Sequence, residues 1–403
     1  MTLASFIPSV SGLNAMSTAQ QSVAENIVNM NTTGYKQQQT LFYTLLGSSG
    51  INAGSQSGLH SSRADITGVD AYNRTNIDIE GVAEATGNTF DVAITGNSNA
   101  FFKLSDGYGN YFYTRAGDFN KSAQDGNVYL VSSGGLYVQG FASINGKNEF
   151  SNVSSNIAIS APNVLSQIET TKASIIANVP AKDVDSSVYN VLIYSDNYDG
   201  SNLSLVFKRI EGQHNAWDLS FNLEDGTAVS NETKVIFNTD GSIKSPENFD
   251  VALNWNDGSS SSVNLDISQM TQLGINSSIV DIQQNGFPSG TLISMGFNDD
   301  GILSARYSND NELAIAKLAI SGFTAPENLS PYNTTLFEAN GEVGNEFYVD
   351  TTGIIVPESV ESSTVNLEEE FARMITVQRA YSLNAQSLTV NDEMLSLLID
   401  LKS

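Results

Sequence analysis

The sequence contains no cysteine. Disulfides, thiolate metal sites and cysteine nucleophiles are thereby excluded. Histidine is nearly absent as well: His60 and His214 stand far apart, without a ligand-like neighbour pattern, so imidazole chemistry has little to build on. Lys and Arg total 18 against 44 acids, a net charge of −26. That balance argues against nucleic acid and against an anionic membrane surface as partners. No window approaches the roughly 18 consecutive apolar residues of a membrane-spanning helix. The opening stretch M-T-L-A-S-F-I-P-S-V has neither a basic n-region nor an unbroken apolar core. If the protein leaves the cell, the expectation is a route without a cleaved signal peptide.

What the sequence does hold is concentrated first at its two ends. Across residues 366–403 apolar side chains recur three or four positions apart at Leu367, Phe371, Met374, Tyr381, Leu388, Leu395 and Leu398, the seam of a long helix made to pack against other helices. Asn366 is a good N-cap, Glu369 three residues on completes a capping-box pattern, and Glu368, Glu369 and Glu370 place negative charge at the positive end of the helix dipole. Over residues 3–30 a second stripe runs through Phe6, Val10, Leu13, Met16, Val23, Ile27 and Met30, broken at Gln20 and Gln21, with an irregular start at Pro8 and an end near Gly34. Glu25 and Lys36 are the only charges in residues 1–59. Such a segment does not repel copies of itself, which suits a buried polymer core. A stripe at helical spacing is ordinarily intramolecular core, but these two lie at opposite ends of a chain that otherwise reads as β. Two helices with so little to bury should be marginal alone and firm when neighbouring copies cover them.

Residues 34–75 read as an extended connector, rich in Ser, Gly and Gln, without chemistry of its own. From 76 onward short strands separated by Asp-Gly and Gly-Gly turns predict antiparallel β structure. Between 143 and 282 the alternation is cleaner: Leu203, Leu205 and Phe207, then Trp217, Leu219, Phe221 and Leu223, then Phe249, Val251, Leu253 and Trp255, each set one buried face of a sandwich or barrel. Turns are expected at Asp199-Gly200, Asp225-Gly226, Asp240-Gly241 and Asp257-Gly258. After 283 the texture returns to that of 76–142. The expected fold class is therefore α+β, mainly β. It comprises a terminal helical assembly domain (1–33 and 366–403) paired like a coiled coil, a connector (34–75), a split inner β domain (76–142 and 283–365) and an inserted outer β domain (143–282).

Paired acids such as Asp299 and Asp300, or Asp196 and Asp199, are the only enzymatic constellation on offer, as acid and base or as ligands for a metal. Adjacent acids before Gly are far more often turns, and Phe207 stands where an EF-hand would need its closing Glu. No catalytic, cofactor-binding or metal-ligating residue is expected. A secreted β-rich adhesin would account for the Gly, Asn and Ser content, but it would have no use for matched terminal helices.

Both ends resemble those of bacterial flagellar axial proteins, the family of rod and hook subunits. The residues that carry the resemblance are S-G-L-N-A at 11–15, E-N-I-V-N-M-N-T-T-G-Y-K at 25–36 (with Asn29, Gly34, Tyr35 and Lys36), M-I-T-V-Q-R-A-Y-S-L-N-A at 374–385 (with Gln378, Arg379 and Asn384) and D-E-M-L at 392–395. Between them F-D-V-A-I at 90–94, Y-T-R-A-G-D-F at 113–119 and A-I-S-G-F-T-A-P-E-N-L at 319–329 look like the split β domain of that family. Residues 97–100, in G-N-S-N-A-F-F, depart from its usual shorter turn. The inserted block resembles the hook branch, with a distal-rod-like subunit as the alternative. The resemblance implies a non-enzymatic, extracellular structural subunit that self-assembles into a flexible curved tube and passes motor torque to the filament. It implies as partners copies of the same chain, rod, hook-cap and hook–filament junction proteins and the flagellar export apparatus, and no cofactor.

Overall fold

The computed structural model describes residues 6–46, 66–124, 126–182, 185–213, 215–230, 233–274 and 276–400. The chain is mainly β, with two α-helices among the described residues: α1 over Ile7–Val28 and α2 over Leu367–Asp400. It forms two compact units, one of Met1–Ala161, Met295–Ala305 and Leu313–Ser403, the other of Pro162–Ser294 and Arg306–Glu312.

In the first unit both helices begin as the sequence leads one to expect. Pro8 sits in the first turn of α1, where a missing N–H costs nothing. Asn366 Oδ1 accepts the amides of Glu368 (3.0 Å) and Glu369 (3.5 Å) and so caps α2. Glu369 does not close the reciprocal half of a capping box but reaches Arg373 at 3.8 Å. The α1 helix ends at Val28 rather than near Gly34. Residues 34–75, expected to be a loose connector, differ more. Here β1 (Gln38–Leu46) and β2 (Ile66–Thr75) pair antiparallel, with Gln38 opposite Thr75 and Leu45 opposite Gly68. The β-forming residues Leu41, Phe42, Tyr43 and Tyr72 prevail over the polar texture, and the pairing is reinforced across the strands by Tyr43 OH donating to Asp70 Oδ2 (2.7 Å) and Thr40 donating to Asn73 (2.8 Å). The Gly- and Ser-rich stretch 47–58 and His60 lie outside the described residues.

The β part of the first unit interleaves distant segments. Phe101–Ser105 pairs with Tyr111–Thr114, with Tyr137–Ser143 and with Ile320–Phe323. Val92–Ile94 pairs with Ile355–Pro357, and Ala83–Ala85 with Ser359–Glu361. Every residue of Phe101–Ser105 is buried, because Phe102 and Leu104 face one apolar core while Phe101 faces a second, with Tyr113, Phe323 and Phe337. A strand covered on both faces loses the alternation that marks a half-exposed one.

In the second unit a six-stranded and a five-stranded sheet enclose one core. Trp217, Leu219, Phe221 and Leu223, Phe249, Val251, Leu253 and Trp255, and Leu203, Leu205 and Phe207 all lie in it. The first hairpin closes three residues earlier than Asp199-Gly200: Ser195 pairs with Tyr198, so Asp196-Asn197 is the tip and Asp199 and Gly200 fall inside the strand Tyr198–Arg209. Placing Leu203 opposite Val191 and Leu205 opposite Tyr189 keeps all four in the core and thereby fixes that register.

Candidate functional site

The buried face of α1 is made of small residues: Ser9, Gly12, Ala15, Ala19, Ser22, Val23 and Asn26. Their spacing of three and four gives one straight stripe, and their size lets α2 and the β1–β2 ribbon approach closely. A Cβ added at Gly12 would lie 3.0 Å from Asn384 Nδ2, one added at Gly68 would lie 2.6 Å from Ser11 Oγ, and the hydroxyls of Ser9 and Ser387 meet at 3.3 Å.

Within the chain, then, small residues form the seam of α1. Of the large apolar residues expected in the helix core of the polymer, Val23 alone is buried within the chain among those whose side chains are described. Phe6, Leu13, Met16, Ile27, Leu367, Met374, Leu388 and Leu395 are half-covered, whereas Val10, Met30, Phe371 (49 %) and Tyr381 (42 %) are exposed. The side chain of Leu398 lies outside the described residues. The physical reason is steric: two helix backbones come close where side chains are small, and the bulky ones are displaced to the flanks and the outer face. A groove of about 330 Å³ runs between α1, β1 and α2, lined among others by Ala19, Val23, Phe42, Ala372 and Val377.

At the base of the helices lies a buried polar junction that composition and periodicity did not single out. The Glu361 carboxylate, 1 % exposed, receives Lys36 Nζ on Oε1 (2.6 Å), Arg115 Nε on Oε2 (2.7 Å) and the Gly81 amide on Oε1 (2.7 Å). Lys36 also donates to the Ile79 carbonyl, and Arg115 to the carbonyls of Asn97, Ala100 and Ile94. Glu80 approaches Arg115 at 3.9 Å. Two buried cations are thus matched by one buried and one half-buried carboxylate, with their remaining donors on backbone oxygens, the condition under which burying charge is tolerated.

The neighbouring residues continue the network. Asn26 Oδ1 accepts Tyr35 OH (3.0 Å) and the Gln38 amide (2.9 Å), while its Nδ2 donates to the Gln38 carbonyl (2.8 Å). Asn29 Nδ2 donates to the Glu25 carbonyl (2.9 Å) and closes the end of α1. The Gln37 amide donates to Thr364 Oγ1 (2.8 Å) and its side-chain Nε2 donates to buried Glu370, which Arg373 reaches at 3.4 Å. Burial pulls the Lys36 amine below the ordinary lysine range against the opposing field of Glu361, and Arg115 adds to the lowering. Burial, then the charges of Glu25 and Glu370, push the Tyr35 phenol up to about 12.

The motif residues at 25–36 acquire reasons here. Gly34 has φ +67° and a Cβ on it would fall 2.3 Å from the Ala116 nitrogen, so only glycine fits. Lys36 donates to the Glu361 carboxylate, and Tyr35 donates to Asn26 in the network beside it. Arg115 supplies the reason for Y-T-R-A-G-D-F, together with Gly117, whose added Cβ would collide with the Val92 carbonyl. Gln378 and Arg379 instead stand exposed on α2, and Asn384 faces Gly12. Of the acids weighed for catalysis, Asp196, Asp299 and Asp300 are turn residues, whereas Asp199 falls within the strand Tyr198–Arg209; Asn298 Oδ1 accepts the amides of Asp300 (3.1 Å) and Ile302 (2.9 Å) and so holds the Asp299-Asp300 turn. His214 lies outside the described residues.

Known proteins resemble this chain in sequence over nearly its whole length. Four family models match in order: flagella basal body rod protein over residues 9–36, flagellar hook protein FlgE/F/G D1 domain over 93–176, flagellar basal body protein FlaE D2 domain over 170–287, and flagellar basal body rod FlgEFG protein C-terminal over 356–401. The flagellar hook protein FlgE of Salmonella typhimurium is 28 % identical over 428 residues, covering 99 % of this chain and 100 % of the relative. That of Escherichia coli is 28 % identical over 422 residues, covering 98 % and 100 %. The crystal structure of Helicobacter pylori flagellar hook protein FlgE2 has a similar fold, with a TM-score of 0.54 and 15 % identity over 69 % of this chain and 99 % of that one. Along nearly its whole length the chain is similar to the family of flagellar rod and hook axial proteins, which is structural and not enzymatic. A place in the hook or basal body of the flagellum, in motility and in a self-assembling polymer comes with that family.

Proposed function

We propose that this chain is the structural subunit of a bacterial flagellar hook, polymerising with its own copies into a flexible curved tube that transmits motor torque to the filament. The observation that carries the assembly mechanism is the division of labour on the helices. Small residues of α1 join it to α2 within the chain, while Val10, Met30, Phe371 and Tyr381 remain exposed for neighbours. In this reading the terminal helices (1–33 and 366–403) form the inner layer of the tube, with Phe6, Leu13, Met16, Val23, Ile27, Leu367, Met374, Leu388, Leu395 and Leu398 completing the packing. The split β domain (76–142 and 283–365) forms a middle layer, and the inserted domain (143–282) an outer one whose contacts slide as curvature changes.

A rod-like subunit is the second reading within the family; the match to a D2 domain over 170–287 favours the hook. Export through the flagellar channel to the cell exterior, and contacts with rod, hook-cap and hook–filament junction proteins, belong to the same proposal. Electron microscopy of purified material tests it. Full-length chain is expected to form tubes, and a chain truncated before residue 366 to remain a soluble β-rich monomer. Tubes formed by the truncated chain would overturn the assignment of the inner layer to the helices.

A further inference from the structure

We infer that Glu361 is a positioning residue for assembly: its single buried carboxylate couples the base of both terminal helices to the folded β part of the first unit. The inference rests on the hook-subunit reading and adds the device that aims its helices.

Three features carry it. Glu361 gathers partners from three separate segments, Lys36 just after α1, Gly81, and Arg115 at the end of the strand Tyr111–Thr114, and itself lies six positions before α2. Lys36, Arg115 and Glu361 are each at most 1 % exposed, so water cannot replace a lost partner. The remaining acceptors are the carbonyls of Ile79, Ile94, Asn97 and Ala100, which converge only once the β segments have folded. Helices attached through this carboxylate therefore take up their common direction after the sheet is in place and not before. The link between Lys36 and Glu361 fixes the helix bases, whereas that between Arg115 and Glu361 balances charge inside the β part. The two functions of one carboxylate are separable by mutation.

The test compares the full chain with Glu361→Gln, Lys36→Met and the double variant Lys36→Met/Glu361→Gln. Trypsin cleavage after Arg379, exposed on α2, reads release of the helices in the monomer. Hydrogen exchange of the Phe101–Ser105 amides, followed against temperature, reads melting of the first unit. Sedimentation reads the critical concentration for polymerisation. Glu361→Gln is expected to speed cleavage at least tenfold, raise the critical concentration at least tenfold and lower the melting point. In the double variant, with one cation and one anion removed, the melting point is expected to recover while cleavage stays fast and polymerisation poor. Recovery of all three together would reduce Glu361 to a charge-balancing residue and overturn the inference, as would wild-type cleavage in Glu361→Gln. If Glu361→Gln does not fold, Glu361→Asp, which keeps the charge and shortens the reach, is read in its place: faster cleavage supports the inference and unchanged cleavage overturns it. Should the wild-type chain form no tubes at all, the hook reading fails, while the cleavage comparison still decides the role of Glu361.

Discussion

Lys36 Nζ and Glu361 Oε1 meet at 2.6 Å across 325 positions of sequence, both side chains sealed from solvent. That contact joins the segment leaving α1 to the segment entering α2 at a point where the β part of the unit supplies Gly81 and Arg115 to the same carboxylate.

Replacing Gly34 by alanine should damage the junction from the backbone side. The residue sits at φ +67° with the Ala116 nitrogen where a Cβ would go. Left-handed strain together with the collision is expected to lower stability by about 1–3 kcal/mol, seen as a reduced urea midpoint. An unchanged midpoint would show that the turn can shift as a whole.

Phe371 and Tyr381 allow monomer stability and assembly to be separated. Both are exposed, so alanine at either should change the melting of the monomer by no more than about 0.5 kcal/mol. Polymerisation, followed by turbidity or sedimentation, should nevertheless require a higher protein concentration. Gly12→Leu should do the opposite first, forcing α1 from Asn384 and loosening the helices already in the monomer.

Hydrogen exchange along the helices should fall into a gradient. Amides near the junction, at residues 22–29 and 367–374, are tied to the β part through Asn26, Gln37 and Glu370, whereas the far ends lack that anchor. Protection in the monomer is expected to decay toward Ile7 and Asp400 and to become uniform in the polymer. Equal protection along both helices of the monomer would contradict the dependence on neighbouring copies.

Acid should weaken the first unit in a defined window. Burial raises the Glu346 carboxyl, but the Lys103 amine at 2.8 Å and the Ser321 hydroxyl at 2.6 Å outweigh it, so the net shift is below the usual 4.5. A depressed carboxyl means that the unfolded chain binds the proton more readily. Its stabilising contribution is therefore complete above pH 4.5 and lost as pH falls through the folded value. Urea midpoints measured downward from pH 6 should decline below that point, and Glu346→Gln should flatten the decline. An identical slope in the variant would assign it to other carboxylates, such as Asp350, which is held low by the Thr352 amide and hydroxyl.

Much of the molecule was legible because periodic burial leaves a trace in sequence. Leu203, Leu205 and Phe207 announce a half-buried strand as directly as Asn366 announces a helix start, and no partner need be known to read either. The buried face of α1 was equally present, at Gly12, Ala15, Ala19 and Ser22, but a stripe of small residues carries little hydrophobicity and was overshadowed by Val10, Leu13 and Met16. The β1–β2 ribbon was hidden for a related reason: its pairing joins segments separated by Gly- and Ser-rich sequence.

By itself, then, the sequence determined the two helices, the mainly β interior, the absence of thiol chemistry and, through its terminal motifs, the likeness to flagellar axial proteins. Tertiary structure alone decided which helix faces are spoken for and why Lys36, Arg115 and Glu361 exist. Helix and strand periodicities are local and repeat within a few residues, so they can be read along a chain. A buried ion cluster has no period, and its members become neighbours only when segments hundreds of residues apart have been brought together by the fold.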